Sequence, residues 1–112
     1  MRDDGVSLNL ILDAITRIES YTSKGKEFFF RENIVQDAVI RNLEIIGEAV
    51  KNLSAGLRAR HPEIPWARIA GMRDVLIHEY FGVRLQTVWN AVENRLPELK
   101  QHIGSLLAEA EK

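Results

Sequence analysis

Between Gly71 and Gly82 the chain sets Arg73, His78 and Tyr80 close together. An arginine presents a planar fork of donors that fits a phosphate and keeps its charge at any physiological pH. A histidine takes or gives a proton near neutrality, and a tyrosine hydroxyl both donates and accepts. These residue types suit metal-independent cleavage of RNA. That reaction needs a base for the 2′-hydroxyl, an acid for the leaving 5′-oxygen and a cation beside the phosphorane. One chain offers a single histidine in this segment, whereas a symmetric dimer brings two histidines and two arginines to a shared groove. The chemistry therefore favours a homodimer.

The spacing constrains how these side chains can meet. With Arg73 at zero on a wheel of about 100° per residue, Tyr80, Ile69, Ile77 and Leu76 all fall within about 60° of it. Arg73 and Tyr80 thus stand in the middle of an apolar stripe, where a buried unpaired charge costs several kcal/mol. Either Arg73 has a buried partner, for which Glu44 and Glu48 are candidates, or the stripe lines a cleft or a subunit interface. His78 lies about 140° from Arg73 on the same wheel. The two converge across a two-fold axis, or where the chain bends near Gly71 or Gly82. A place in the last turn of a helix favours imidazolium and raises the pKa of His78.

The elements that must hold this segment read as helices. Leu8, Ile11, Leu12, Ile15 and Ile18 recur three and four apart, predicting a helix from an N-cap at Ser7 to Tyr21. Thr22–Lys26 interrupts the pattern, and a second helix is predicted from Asn33 to Leu53 on Val39, Ile40, Leu43, Ile46, Ala49 and Val50. Pro65 suits the first position of a third helix carrying Trp66, Ile69, Met72, Leu76 and Ile77, with Gly82 as its C-cap. A fourth starts near Arg84 with Leu85, Val88, Trp89, Val92 and Leu96, and Pro97 is expected to kink or restart it before Leu99, Ile103 and Leu106. No segment alternates with a period of two. The expected fold is an all-α, up-and-down bundle of four main helices plus short helical segments, antiparallel because most connections are short.

Composition narrows the function classes. The 112 residues carry 15 Lys plus Arg against 16 Asp plus Glu, for a net charge of −1. They suit one domain, spanning 1–112, and argue against a broad basic face for non-specific nucleic-acid binding. With no cysteine there is no thiolate metal site and no thiol nucleophile. No apolar run approaches the ~20 residues of a membrane span, and the opening residues do not read as a signal peptide, so a cytoplasmic location is expected. Glu44 and Glu48 share a helix face but lack the histidine or aspartate partners of a metal site. No glycine-rich phosphate loop is present. Arg58, Arg60, Arg68 and Arg73 make residues 58–73 locally basic, around His61, and this reads as a solvated loop or an RNA contact. His102 is expected to be exposed, and Trp66 and Trp89 to be core residues rather than base-stacking platforms.

Taken together, Arg73-Asp74-Val75-Leu76-Ile77-His78-Glu79-Tyr80 has the form R-x4-H-x-Y and resembles the signature of the HepT-type HEPN family. The resemblance extends in order through Ile45–Ala49, Pro65-Trp66, Ile69–Met72, Phe81–Val83, Val88-Trp89 and Leu96–Leu99, covering nearly the whole chain. Members are the toxin halves of HEPN–MNT toxin–antitoxin modules. The resemblance implies a dimerising all-α HEPN bundle and a metal-independent endoribonuclease that leaves a 2′,3′-cyclic phosphate and needs no cofactor. It gives Arg73 the scissile phosphate and His78 the acid–base role. Tyr80 matches the tyrosine on which an MntA-like minimal nucleotidyltransferase places AMP to neutralise the toxin. Glu48 and Asp74 are possible cleft residues. Asp74 stands where the common form of the motif has asparagine, and an acidic neighbour either pairs with Arg73 or lowers affinity for phosphate. The alternative expectation is a catalytically silent HEPN subunit that docks and assists the nucleotidyltransferase.

Overall fold

The structure, a computed structural model, describes residues 4–71 and 85–110. Among these residues every regular element is helical: α1 (Asp4–Tyr21), α2 (Lys26–Arg31), α3 (Asn33–Lys51), α4 (Ala55–Arg60), α5 (66–71), α6 (Leu85–Asn90), a π-helical turn (Ala91–Arg95) and α7 (Leu96–Ala110). The all-α bundle expected from the sequence is what the chain forms. No helix among the described residues is long and apolar enough to cross a membrane.

α1 packs against α3 and α7, and the apolar stripes read from the sequence form the core. Leu8, Ile11, Ile15 and Ile18 of α1 meet Val39, Leu43, Ile46 and Val50 of α3 and Leu99, Ile103 and Leu106 of α7 in one buried cluster. Burying a side chain of this size contributes roughly 1.5–3 kcal/mol. The helix directions follow from two polar contacts. Asp4, at the start of α1, bonds to Ser54 just beyond α3, and Lys100, early in α7, lies 3.0 Å from Glu19 near the end of α1. α1 therefore runs antiparallel to both partners.

Several boundaries differ from those expected. Ser7 is not an N-cap but a buried residue inside α1, because Asp4 is already helical. α3 ends at Lys51, short of Leu53. Pro65 precedes α5 instead of opening it, and its carbonyl accepts from the Ile69 N–H at 3.1 Å. Lys26–Arg31 forms a separate short helix that buries Phe29 against Trp89, with ring centroids 5.4 Å apart. The buried Gln36 amide secures it, donating to the carbonyls of Phe29 and Phe30 at 2.9 and 3.1 Å. Pro97 lies inside continuous helix. It has no N–H for the carbonyl four residues back, and the π turn just before it absorbs that missing bond, with the Leu96 N–H reaching back five residues to Ala91. The expected C-cap at Gly82 lies outside the described residues.

Candidate functional site

Arg73, Asp74, His78 and Tyr80 lie outside the described residues; the structure defines the ground leading up to them. α5 is aimed by its entry turn. Ile64 is buried, and the Ile64 N–H donates to the His61 carbonyl at 3.2 Å. The Trp66 indole Nε1–H donates to the same carbonyl at 3.0 Å, so this buried ring serves the core while its polar edge closes the loop. Ile69 and Ala70 pack against the core cluster. Gly71, two positions before Arg73, stands on the wall of a cavity of about 660 Å³.

The cavity lies between α5 and the α6–π–α7 helix. Leu43, Ile64, Val88, Ala91, Leu96 and Leu99 give it an apolar lining, while Arg68, Thr87, Asn90, Arg95, Glu98 and His102 supply its polar groups. Arg68 and Arg95 are exposed. The π turn presents Arg95, its last residue, to this cavity. Such turns favour functional positions because they re-aim side chains within a helix.

His102 is half-buried instead of solvated as expected, and it lines the cavity together with Ile64 and Pro65. Across this loop the His61 Nδ1 lies 3.2 Å from Glu63 Oε1. The Glu63 carboxyl titrates below its usual range, chiefly through a hydrogen bond from its own backbone N–H. Desolvation opposes this as the second-largest effect, and the hydrogen bond with His61 and the electrostatic influence of His61 and His102 make smaller lowering contributions.

On α3, Glu48 is exposed and Glu44 is partly exposed, with Arg41 3.9 Å from the Glu44 carboxylate. Among the described residues no group of His, Cys, Asp or Glu has the composition and arrangement of a metal site. Of the basic loop, Arg58 is half-buried with its Nε unpartnered, Arg60 is exposed near Asp4, and Arg68 reaches the cavity. No local pattern joins Arg68 to Arg95 and His102, which stand on different elements far apart in the chain.

A family profile described as "Ribonuclease HepT-like" matches residues 11–106. The chain belongs to the HepT-like ribonuclease family. It is 46% identical over 112 residues to the Methanocaldococcus jannaschii protein named "Gamma-glutamylcyclotransferase and putative RNase MJ0434", covering 99% of this chain and 50% of that protein. The chain thus spans half the length of that relative. It is 39% identical over 111 residues to "Putative RNase MJ1216" of the same organism, covering 98% and 92% of the two chains. With "Probable ribonuclease HepT" of Thermococcus cleftensis it shares 48% identity over 91 residues, covering 80% and 83%. No solved structure matches. As a HepT-like chain, it carries the R-x4-H-x-Y sequence at Arg73–Tyr80 within the matched span.

Proposed function

We propose that this HepT-like chain is a metal-independent endoribonuclease and the toxin of an HEPN–MNT pair. One observation carries the reading: Arg73, His78 and Tyr80 stand at R-x4-H-x-Y spacing inside the family match. In the reaction the 2′-oxygen of RNA loses its proton to a base and attacks the adjacent phosphorus. The bond to the 5′-oxygen breaks, and an acid protonates that oxygen. The products are a 2′,3′-cyclic phosphate and a 5′-hydroxyl end. His78 exchanges these protons and Arg73 stabilises the charge on the phosphorane oxygens. A homodimer supplies a second histidine, so one can act as base and the other as acid. Val6 and Leu10, one turn apart on α1 and 57% and 47% exposed, offer apolar surface for self-association.

Tyr80 is the regulatory site. A partner nucleotidyltransferase moves AMP from ATP to its hydroxyl and releases pyrophosphate. The added phosphate brings bulk and negative charge beside Arg73 and excludes an RNA phosphate. Asp74 and the net charge of −1 favour a second reading, a silent subunit that docks the nucleotidyltransferase.

The test is intact mass of the chain purified with and without its nucleotidyltransferase and ATP, beside an RNA cleavage assay. The toxin reading requires AMP on Tyr80, cleavage by the unmodified chain alone, and no cleavage by His78→Ala. An unmodified chain that never cuts RNA supports the silent subunit.

A further inference from the structure

We infer that the cavity bounded by Arg68, Arg95 and His102 is a subsite for one nucleotide of single-stranded RNA. This inference rests on the ribonuclease reading for its choice of ligand. The volume of about 660 Å³ lies within the range of small-molecule pockets, about 300–1,000 Å³. The lining divides as a nucleotide does. Leu43, Ile64, Val88 and Leu99 offer an apolar surface to a base, and Thr87 and Asn90 offer hydrogen bonds to its edge or to the ribose. Asn90 Oδ1 accepts from Gln86 Nε2 at 2.8 Å, which orients the amide and leaves its N–H groups to donate.

Charge selects the rest of the ligand. Arg68, Arg95 and His102 face Glu98 around this one cavity, so a protein with a net charge of −1 concentrates cations here. Among the described residues neither Arg68 nor Arg95 has an ion-pair partner, which leaves both guanidinium forks available to phosphate. The rigid supports are a π turn for Arg95 and the turn closed by Trp66 for Arg68. Gly71, which precedes Arg73 by two positions in the sequence, belongs to the same wall. Arg68, Arg95 and His102 hold and position the RNA; they take no part in the proton transfers.

The experiment uses a fluorescent 2′-O-methyl hexanucleotide, which lacks the attacking hydroxyl and cannot be cut. Anisotropy titrations at several salt concentrations compare the full chain with Arg68→Gln, Arg95→Gln, His102→Gln and the remote Lys24→Gln. The expected result is a loss of about tenfold in affinity for each arginine variant, with the salt slope reduced by about 0.7 per arginine. His102→Gln weakens binding less, and Lys24→Gln binds as the parent does. Thermal melts check that each variant folds.

Equal binding by the parent and all cavity variants overturns the subsite, as does an absence of binding by the parent. Equal competition by a polyglutamate peptide overturns it in favour of an acidic protein partner. Cleavage of ordinary RNA by the parent, followed in parallel, reports on the ribonuclease reading separately. A chain that cuts RNA but binds independently of Arg68 and Arg95 loses only the subsite. One that binds through them and never cuts loses only the nuclease.

Discussion

The Asp4 carboxylate holds Ser54 by two bonds, accepting from its backbone N–H at 2.8 Å and from its hydroxyl at 2.7 Å across fifty positions of sequence. Ser54 is also the N-cap of α4, its Oγ accepting from the Leu57 N–H at 3.2 Å. One exposed carboxylate thus ties the start of α1 to the turn between α3 and α4. The two Ser54 bonds, the hydroxyl's first, hold its pKa below the ordinary aspartate range, opposed by slight desolvation and helped by a still smaller effect of Arg60. A carboxyl whose pKa is depressed by folding stabilises the fold fully above its unfolded pKa, and that stability disappears as the pH falls through the folded value. Asp4→Asn should therefore cost about 1 kcal/mol at neutral pH, given the exposure of the pair. The cost should shrink below about pH 4, where the parent also loses the charge. Urea melts at pH 7 and pH 3 check this, and an equal cost at both would refute the electrostatic assignment.

Trp66 and Trp89 are both buried, but they use their indole N–H groups differently. Trp66 donates to the His61 carbonyl at 3.0 Å, whereas Trp89 donates to the side chain of Glu93 at 3.2 Å within its own helix. Trp66→Phe keeps much of the apolar packing and leaves the His61 carbonyl short of a donor. A loss of about 1–2 kcal/mol is expected, with Tm lower by about 4–8 °C. A melt unchanged within error would mean that water replaces the indole without cost.

Phe29 is fully buried and its ring lies 5.4 Å from Trp89, so α2 and α6 share one aromatic contact. Phe29→Ala should destabilise by about 3–5 kcal/mol through lost transfer energy and the cavity left behind. In the Trp66→Phe background the fluorescence of Trp89 should respond, because its neighbour is gone. Emission unchanged in that double variant, with stability retained, would show that the α2 contact is dispensable.

How much of this arrangement could be read from the residues alone depended on scale. α1 and α3 are long enough for apolar positions three and four apart to declare both the helix and its buried face. α2 is not: Lys26-Glu27-Phe28-Phe29-Phe30-Arg31 has three aromatics in a row, and only contact with Trp89 decides that Phe29 faces inward. Pro97 suggested an interruption, yet a π turn carries the helix past it, and local propensity says nothing of that repair. His102 looked like a surface residue because the cavity it lines is shared with Ile64 and Pro65, some forty positions earlier. The shared wall of Arg68 and Arg95, 27 positions apart, is hidden in the same way. Long-range packing creates such a site; the motif chemistry at Arg73–Tyr80, by contrast, is a local pattern that spacing displays.

The two accounts of Arg73, phosphate ligand or structural ion pair, differ in what its removal leaves behind on α3. Removing one partner of a buried pair costs about 3–5 kcal/mol because the other charge is stranded. Neither α3 carboxylate meets that condition. Glu48 is exposed, and Glu44, with 26% of its side chain exposed, has Arg41 at 3.9 Å. Arg73→Ala is accordingly expected to shift stability by less than about 1 kcal/mol, while RNA cleavage by the unmodified chain is lost. Circular dichroism melts of the parent and the variant, run beside the cleavage assay, separate the two. A fall in Tm of about 15 °C or more, equivalent to several kcal/mol, would return Arg73 to a structural role.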